Sequence, residues 1–145
     1  MGAIAYKTDF YEWTQEQAQL LKEHRLGEID LANLIEEVES MGASERNEFA
    51  HRLEVLLMHM LKWQYQADYP YRRSWQLTIV EQRKRLAARL RKSPSLKHHA
   101  GEELADAYDV AKIGAERETG LPESTFPEVC PWSFEQVLDP EFIPA

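Results

Sequence analysis

His59, Gln64, Gln82 and Arg83 are the side chains whose types and spacing could do chemistry here, with Asp9, Glu12, Glu37 or Glu39 to supply a carboxylate. An imidazole beside a carboxylate can move a proton, and a guanidinium can hold a small anion. If the loop after the central helix centres near Pro70, His59 comes level with Gln82 and Arg83 on the returning helix. Arg83 then lies about 80° from Trp75 around that helix and Gln82 about 20°, so both border its apolar stripe. Gln64 falls inside the stripe of its own helix, where an amide must find partners. A buried guanidinium without an anion is costly, so the fold is expected to bring a carboxylate to Arg83. The expectation is a buried polar cluster under the aromatic N-terminal segment. Such networks more often fix register than perform reactions.

Other chemistries are harder to build. The chain carries no Gly-rich phosphate loop, no HExxH, no Gly-x-Ser-x-Gly and no CxxC. Cys130 lies between Val129 and Pro131 with no histidine near it in sequence, which suits a packed thiol better than a nucleophile. His51 and His59 are two helical turns apart, and a metal would need Glu37 or Glu39 as well. With a hairpin turning near residue 43, Glu37 lies level with residue 49, and His59 lies on the order of 15 Å further along. No metal and no cofactor is therefore expected.

The elements that must position these residues centre on Phe49 to Tyr65, FAHRLEVLLMHMLKWQY. Leu53, Leu56, Leu57, Met60 and Leu61 recur at helical spacing, and Val55 and Met58 widen the apolar surface, as in the central helix of a bundle. Before it, Thr14 to Gln17 forms a capping-box pattern for a first helix, stapled by Trp13 and Ala18 and stopped near Gly27. Asp30 caps a second helix with Leu31, Leu34, Ile35, Val38 and Met41 on one face. Gly42 stops it and Ser44 caps the central helix, so those two form a hairpin. After Pro70, Trp75, Ile79, Leu86 and Leu90 mark a fourth helix ending at Arg91-Lys92. Ser93-Pro94 opens a fifth with Leu104, Tyr108, Ala111 and Ala115, which Gly101 could interrupt and Gly120 closes. The Pro-rich tail reads as ordered wrapping anchored by Phe126, Trp132 and Phe134, with a short helical signal at residues 133–136. This is an all-α, single-domain bundle of about five helices over residues 1–145.

Charge narrows the partners. Residues 1–60 hold twelve acids and five bases, residues 61–100 two and ten, and residues 101–145 eleven and two. A basic middle between acidic thirds most simply has its charge answered within the molecule. Arg72 to Lys97, with nine bases and one acid, invites nucleic acid, but the net charge of −8 opposes it. No apolar stretch is long enough to span a membrane, the opening MGAIAYKTDF lacks a secretory pattern, and a lone cysteine suits a reducing compartment; the expected location is the cytoplasm.

One set of motifs is specific. Tyr6-x-Thr8-Asp9-Phe10-Tyr11-x-Trp13 opens the chain, and residues 33–42 read NLIEEVESMG. His59-Met60-Leu61-Lys62-Trp63-Gln64, Ser74-Trp75, Gln82-Arg83, Phe126-Pro127 and Cys130-Pro131-Trp132 follow. Together they resemble a bacterial family known only as domain of unknown function twenty-nine. The resemblance implies an all-helical domain and carries over no catalytic residue. The function expected is a small helical interaction protein that binds another protein, with self-association as one form. The alternative is an enzyme in which His59 and a carboxylate act on a small anionic substrate held by Arg83, and a weaker one is nucleic-acid binding through residues 72–97.

Overall fold

The computed structural model describes residues 5–145, and among them five α-helices and no strand are found. The helices are α1 (Phe10–Lys22), α2 (Leu31–Tyr65), α3 (Arg72–Lys92), α4 (Ala100–Thr119) and α5 (Phe134–Leu138). Short 3-10 turns lie at Leu26–Glu28, Pro94–His99 and Glu123–Thr125. The chain divides into two compact units, Met1–Ser44 and Glu45–Ala145, and α2 contributes to both.

In the first unit, α1 begins earlier than its sequence suggests. Asp9 is the N-cap, its Oδ1 accepting from the Glu12 amide at 3.1 Å. Thr14 caps nothing: it lies inside the helix and its hydroxyl donates back to the Tyr11 carbonyl at 2.6 Å. Trp13 is likewise helical, buried, and donates Nε1–H to Asp30 Oδ2 at 3.0 Å. The helix ends at Lys22 through a Schellman motif centred on His24, not at Gly27. His24 takes the left-handed conformation at φ 57°, its amide donates to Leu21 and the Arg25 amide to Leu20. Gln17, also buried, accepts the Asp30 amide at 2.7 Å. Asp30 in turn accepts from the Asn33 amide and side chain at the start of α2.

The hairpin expected at Gly42 does not form. Residues 31–65 make one helix of 35 residues, and Gly42 has no left-handed φ. A single helical glycine costs about 1 kcal/mol against alanine, too little to break a helix whose neighbours are good formers and which contains no proline. Ser44 is interior rather than a cap.

The second unit is built around residues 49–61 of α2. Phe49, Leu53, Leu56, Leu57, Met60 and Leu61 are fully buried. Against them lie Ile79, Leu86 and Leu90 of α3 and Leu104, Ala107, Tyr108, Ala111 and Ala115 of α4. The small residues of α4 allow close approach: a Cβ on Gly114 would stand 2.8 Å from Met58 Sδ. Gly101 continues α4, while Gly120 ends it at φ 79°. The tail wraps this core through Phe126, Trp132 and Val137, and α5 carries a capping box between Ser133 and Gln136.

Candidate functional site

The residues predicted to cluster are distributed among separate tasks. Arg83 is 5% exposed, but its partners are backbone carbonyls: Nε donates to Val137 O at 2.8 Å and Nη2 to Gln136 O at 3.5 Å. The anion expected from Asp9, Glu12 or the Glu36–Glu39 run is replaced by the carbonyls of α5's last turn, the negative end of that helix. Burial lowers the Arg83 pKa, partly offset by Asp139. Gln82 accepts from Arg52 Nη1 at 3.2 Å, and Arg52 also pairs with Glu48 at 2.6 Å. His59, half-buried, places Nδ1 2.8 Å from the carbonyl of Val55 one turn back. Desolvation lowers its pKa. Gln64 Oε1 is buried with no hydrogen-bond partner among the described residues. Among the described residues neither His59 nor Arg83 hydrogen-bonds a carboxylate, and the three groups of the imidazole–carboxylate–guanidinium set are not brought together.

The predicted carboxylates have their own roles in the first unit. Asp9 caps α1, and Glu37 accepts a short hydrogen bond from the Tyr6 hydroxyl, which pushes the Tyr6 pKa up to about 12. Glu39 is exposed. Glu37 and His59 lie on one continuous helix, so the facing-helix geometry weighed for a metal does not arise. Among the described residues no three His, Cys, Asp or Glu side chains gather to hold a metal ion. Cys130 donates to Trp132 O at 3.4 Å, and burial raises its pKa, so its thiol is held protonated and structural.

Arg83 acts with two side chains, Tyr108 and Lys112, whose polar role sequence reasoning missed. Lys112 Nζ donates to Glu128 O at 3.0 Å, Tyr108 OH to Pro127 O at 2.6 Å, and Arg83 to α5. Together they hold the tail by its carbonyls. Two buried lysines on apolar stripes, Lys62 and Lys112, were the available signal. Lys62 pairs with Glu118 at 2.8 Å. Within the basic segment, Arg89 pairs with Glu45 and Glu48, Arg85 pairs with Glu81, and Arg72 stacks over Trp63.

One exposed apolar face lies on the N-terminal part of α2. Leu31, Ile35, Val38 and Met41, expected on one helical face, are 60%, 49%, 60% and 64% exposed. Their spacing keeps them within roughly a third of the helix circumference. Trp13 and Tyr6 instead engage Asp30, just before α2, and Glu37, on a neighbouring strip of the helix. Glu39, exposed, and Glu37, half-buried, flank the apolar row on its two sides, and residues 1–44 carry nine acids against three bases. The result is an apolar row with an acidic border.

No helix among the described residues is long and apolar enough to cross a membrane. No curated protein and no solved structure matches the chain. A family model does, over residues 5–143, and the chain belongs to the family described as domain of unknown function DUF29.

Proposed function

We propose that this protein is a bacterial, cytoplasmic interaction module that docks a basic amphipathic helix of another protein on the Leu31–Met41 face of α2. The observation that carries this reading is the exposure of four large apolar side chains at helical spacing on one face. An apolar row of that kind is what an incoming helix covers with its own i, i+3, i+4, i+7 residues. The acidic border selects a partner with lysines or arginines beside its apolar row and steers its approach. It also disfavours a second copy, because pairing this face with itself would set two acidic borders together.

A labelled 18-residue peptide of leucine and lysine, with leucine at i, i+3, i+4 and i+7, is the probe. Fluorescence anisotropy should show binding that weakens with salt. Val38→Asp should reduce affinity by about tenfold or more, since burying a valine contributes about 1.5–3 kcal/mol. A matching leucine–glutamate peptide should bind poorly. Equal binding of both peptides, or no effect of Val38→Asp, would refute the reading. A dimer by light scattering that Val38→Asp dissociates would instead identify a second copy as the occupant.

A further inference from the structure

Two contacts set how α1 lies on the start of α2. The Tyr6 hydroxyl, just before α1, donates to Glu37, and Trp13 Nε1–H donates to Asp30 at 3.0 Å. Each step forward along α1 is thus a step back along α2, an antiparallel pair. The same register sets Phe10 level with Asn33, with Leu31, Leu34 and Ile35 around it. In α1 the buried residues are Trp13, Gln17 and Leu20, and Phe10 lies about 50° around the helix from their mean direction. In α2 the half-buried Asn33, Leu34 and Glu37 mark the side turned to α1. The Leu31–Met41 row lies about 100° around from that side. Both offsets run in the same rotational sense, and on antiparallel helices the same sense leads to the same side of the pair. Phe10 and the row are therefore two walls of one shallow groove, with Leu34 between them.

The adjacent aromatics Phe10 and Tyr11 separate cleanly on this geometry. The Phe10 ring stands edge-on to Tyr6 at 5.6 Å and stacks with Trp13 at 5.7 Å, yet the residue is 50% exposed. Since Tyr6 itself reaches across to Glu37, that ring stands on the shoulder of α1 nearest α2. Tyr11, 72% exposed, lies about 150° from the buried direction of α1 and is turned away from α2. A ring already held by its neighbours loses little freedom when a partner covers it. The width of the partner's apolar face follows. A helix laid on one helix is served by a narrow seam of two apolar positions per seven, whereas one seated between two helices needs about three.

We infer that the partner helix seats in the groove between α1 and α2 as a third helix, with Phe10 as a docking residue and with an apolar stripe three positions wide. This rests on the docking reading above. The test uses the full chain and two lysine-bearing helical peptides of equal charge. The wide one has leucine at i, i+3 and i+4 of each heptad, and the narrow one has glutamine at i+4. In the unaltered protein, intermolecular NOEs from the wide peptide's leucine methyls should reach the Phe10 ring and the Val38 methyls, and not the Tyr11 ring. The wide peptide should bind about tenfold more tightly than the narrow one. Phe10→Ala should weaken the wide peptide by about fivefold or more, while Tyr11→Ala should leave it within about twofold. NOEs to Val38 without any to Phe10, equal binding of the two peptides, or no effect of Phe10→Ala overturns the groove and leaves the α2 face standing. No binding, or NOEs to neither residue, overturns both. Contacts to Phe10 from a second copy of the chain in place of the peptide overturn the assignment of the occupant. The NOEs and the peptide comparison use the unaltered protein, so they decide the matter even if a variant fails to fold.

Discussion

Replacing Arg83 with methionine should loosen the C-terminal tail without unfolding the core. The substitution keeps an unbranched apolar stem among Ile79, Leu86 and Val137 while deleting the guanidinium. What is lost is one strong charge-assisted hydrogen bond, Nε to Val137 O at 2.8 Å, and one long one to Gln136 O at 3.5 Å. Hydrogen bonds to charged groups contribute about 1.5–3 kcal/mol, and an abandoned buried carbonyl costs about 1–3 kcal/mol. Gln136 O still accepts from the Asp139 amide at 3.2 Å, so Val137 O is the group left stranded. Against this, the variant no longer buries a cation, which returns part of the loss. The net expectation is a destabilisation of about 1–3 kcal/mol. Arg83→Lys should not rescue it, because an ammonium lacks the Nε geometry. Urea denaturation followed by tryptophan fluorescence gives the stability, and amide exchange at Val137 and Leu138 reports the tail. A loss below about half a kcal/mol with unchanged exchange would show that Arg83 does not hold α5. A large loss rescued by removing Asp9, Glu12, Glu37 or Glu39 would instead restore the carboxylate partner.

Other consequences are equally concrete. Leu56→Ala should cost about 2–5 kcal/mol in the same urea assay, because a fully buried leucine leaves a cavity among α2, α3 and α4; a loss under half that range would contradict the packing. His24→Gly should stabilise the protein by about 1 kcal/mol, since the left-handed conformation strains any residue with a Cβ; a drop in Tm would place the α1 stop elsewhere. His59 has its folded pKa lowered by burial, so the neutral ring favours the fold. That contribution is complete above the unfolded value of about 6.5 and is lost as pH falls through the lower folded value. Stability measured from pH 7.5 to 5 should therefore fall less steeply in His59→Gln than in the parent, and identical slopes would remove His59 as a source.

Periodicity carried the second unit well. Leu53, Leu56, Leu57 and Met60, then Ile79, Leu86 and Leu90, and the narrow Leu104–Ala115 stripe all pack as their spacing implies. Gly120 was legible because a helix-ending glycine takes the αL conformation that others avoid. Gly42 was misleading because the same residue type is tolerated mid-helix, and only tertiary context separates the two uses. Thr14 and Asp9 lie five residues apart and are both good caps, so local chemistry does not rank them. The Leu31–Met41 row was legible as one apolar face, but its exposure was not, since periodicity shows that a face is apolar and not what covers it. At Arg83, sequence reasoning found the burial and missed the partner. A backbone carbonyl leaves no mark in the residue types, whereas carboxylates do.

The central claim is that the Leu31–Met41 face receives a basic amphipathic helix, and in-cell photo-crosslinking from position 38 tests it most directly. A benzophenone amino acid replaces Val38 in the full chain, in the cell of origin, with position 84 on α3 as the control. The account predicts one discrete adduct from position 38, absent from position 84. Its crosslinked peptide should be helical in pattern, with basic residues beside an apolar row. No adduct from position 38, or the same products from both positions, would contradict the claim.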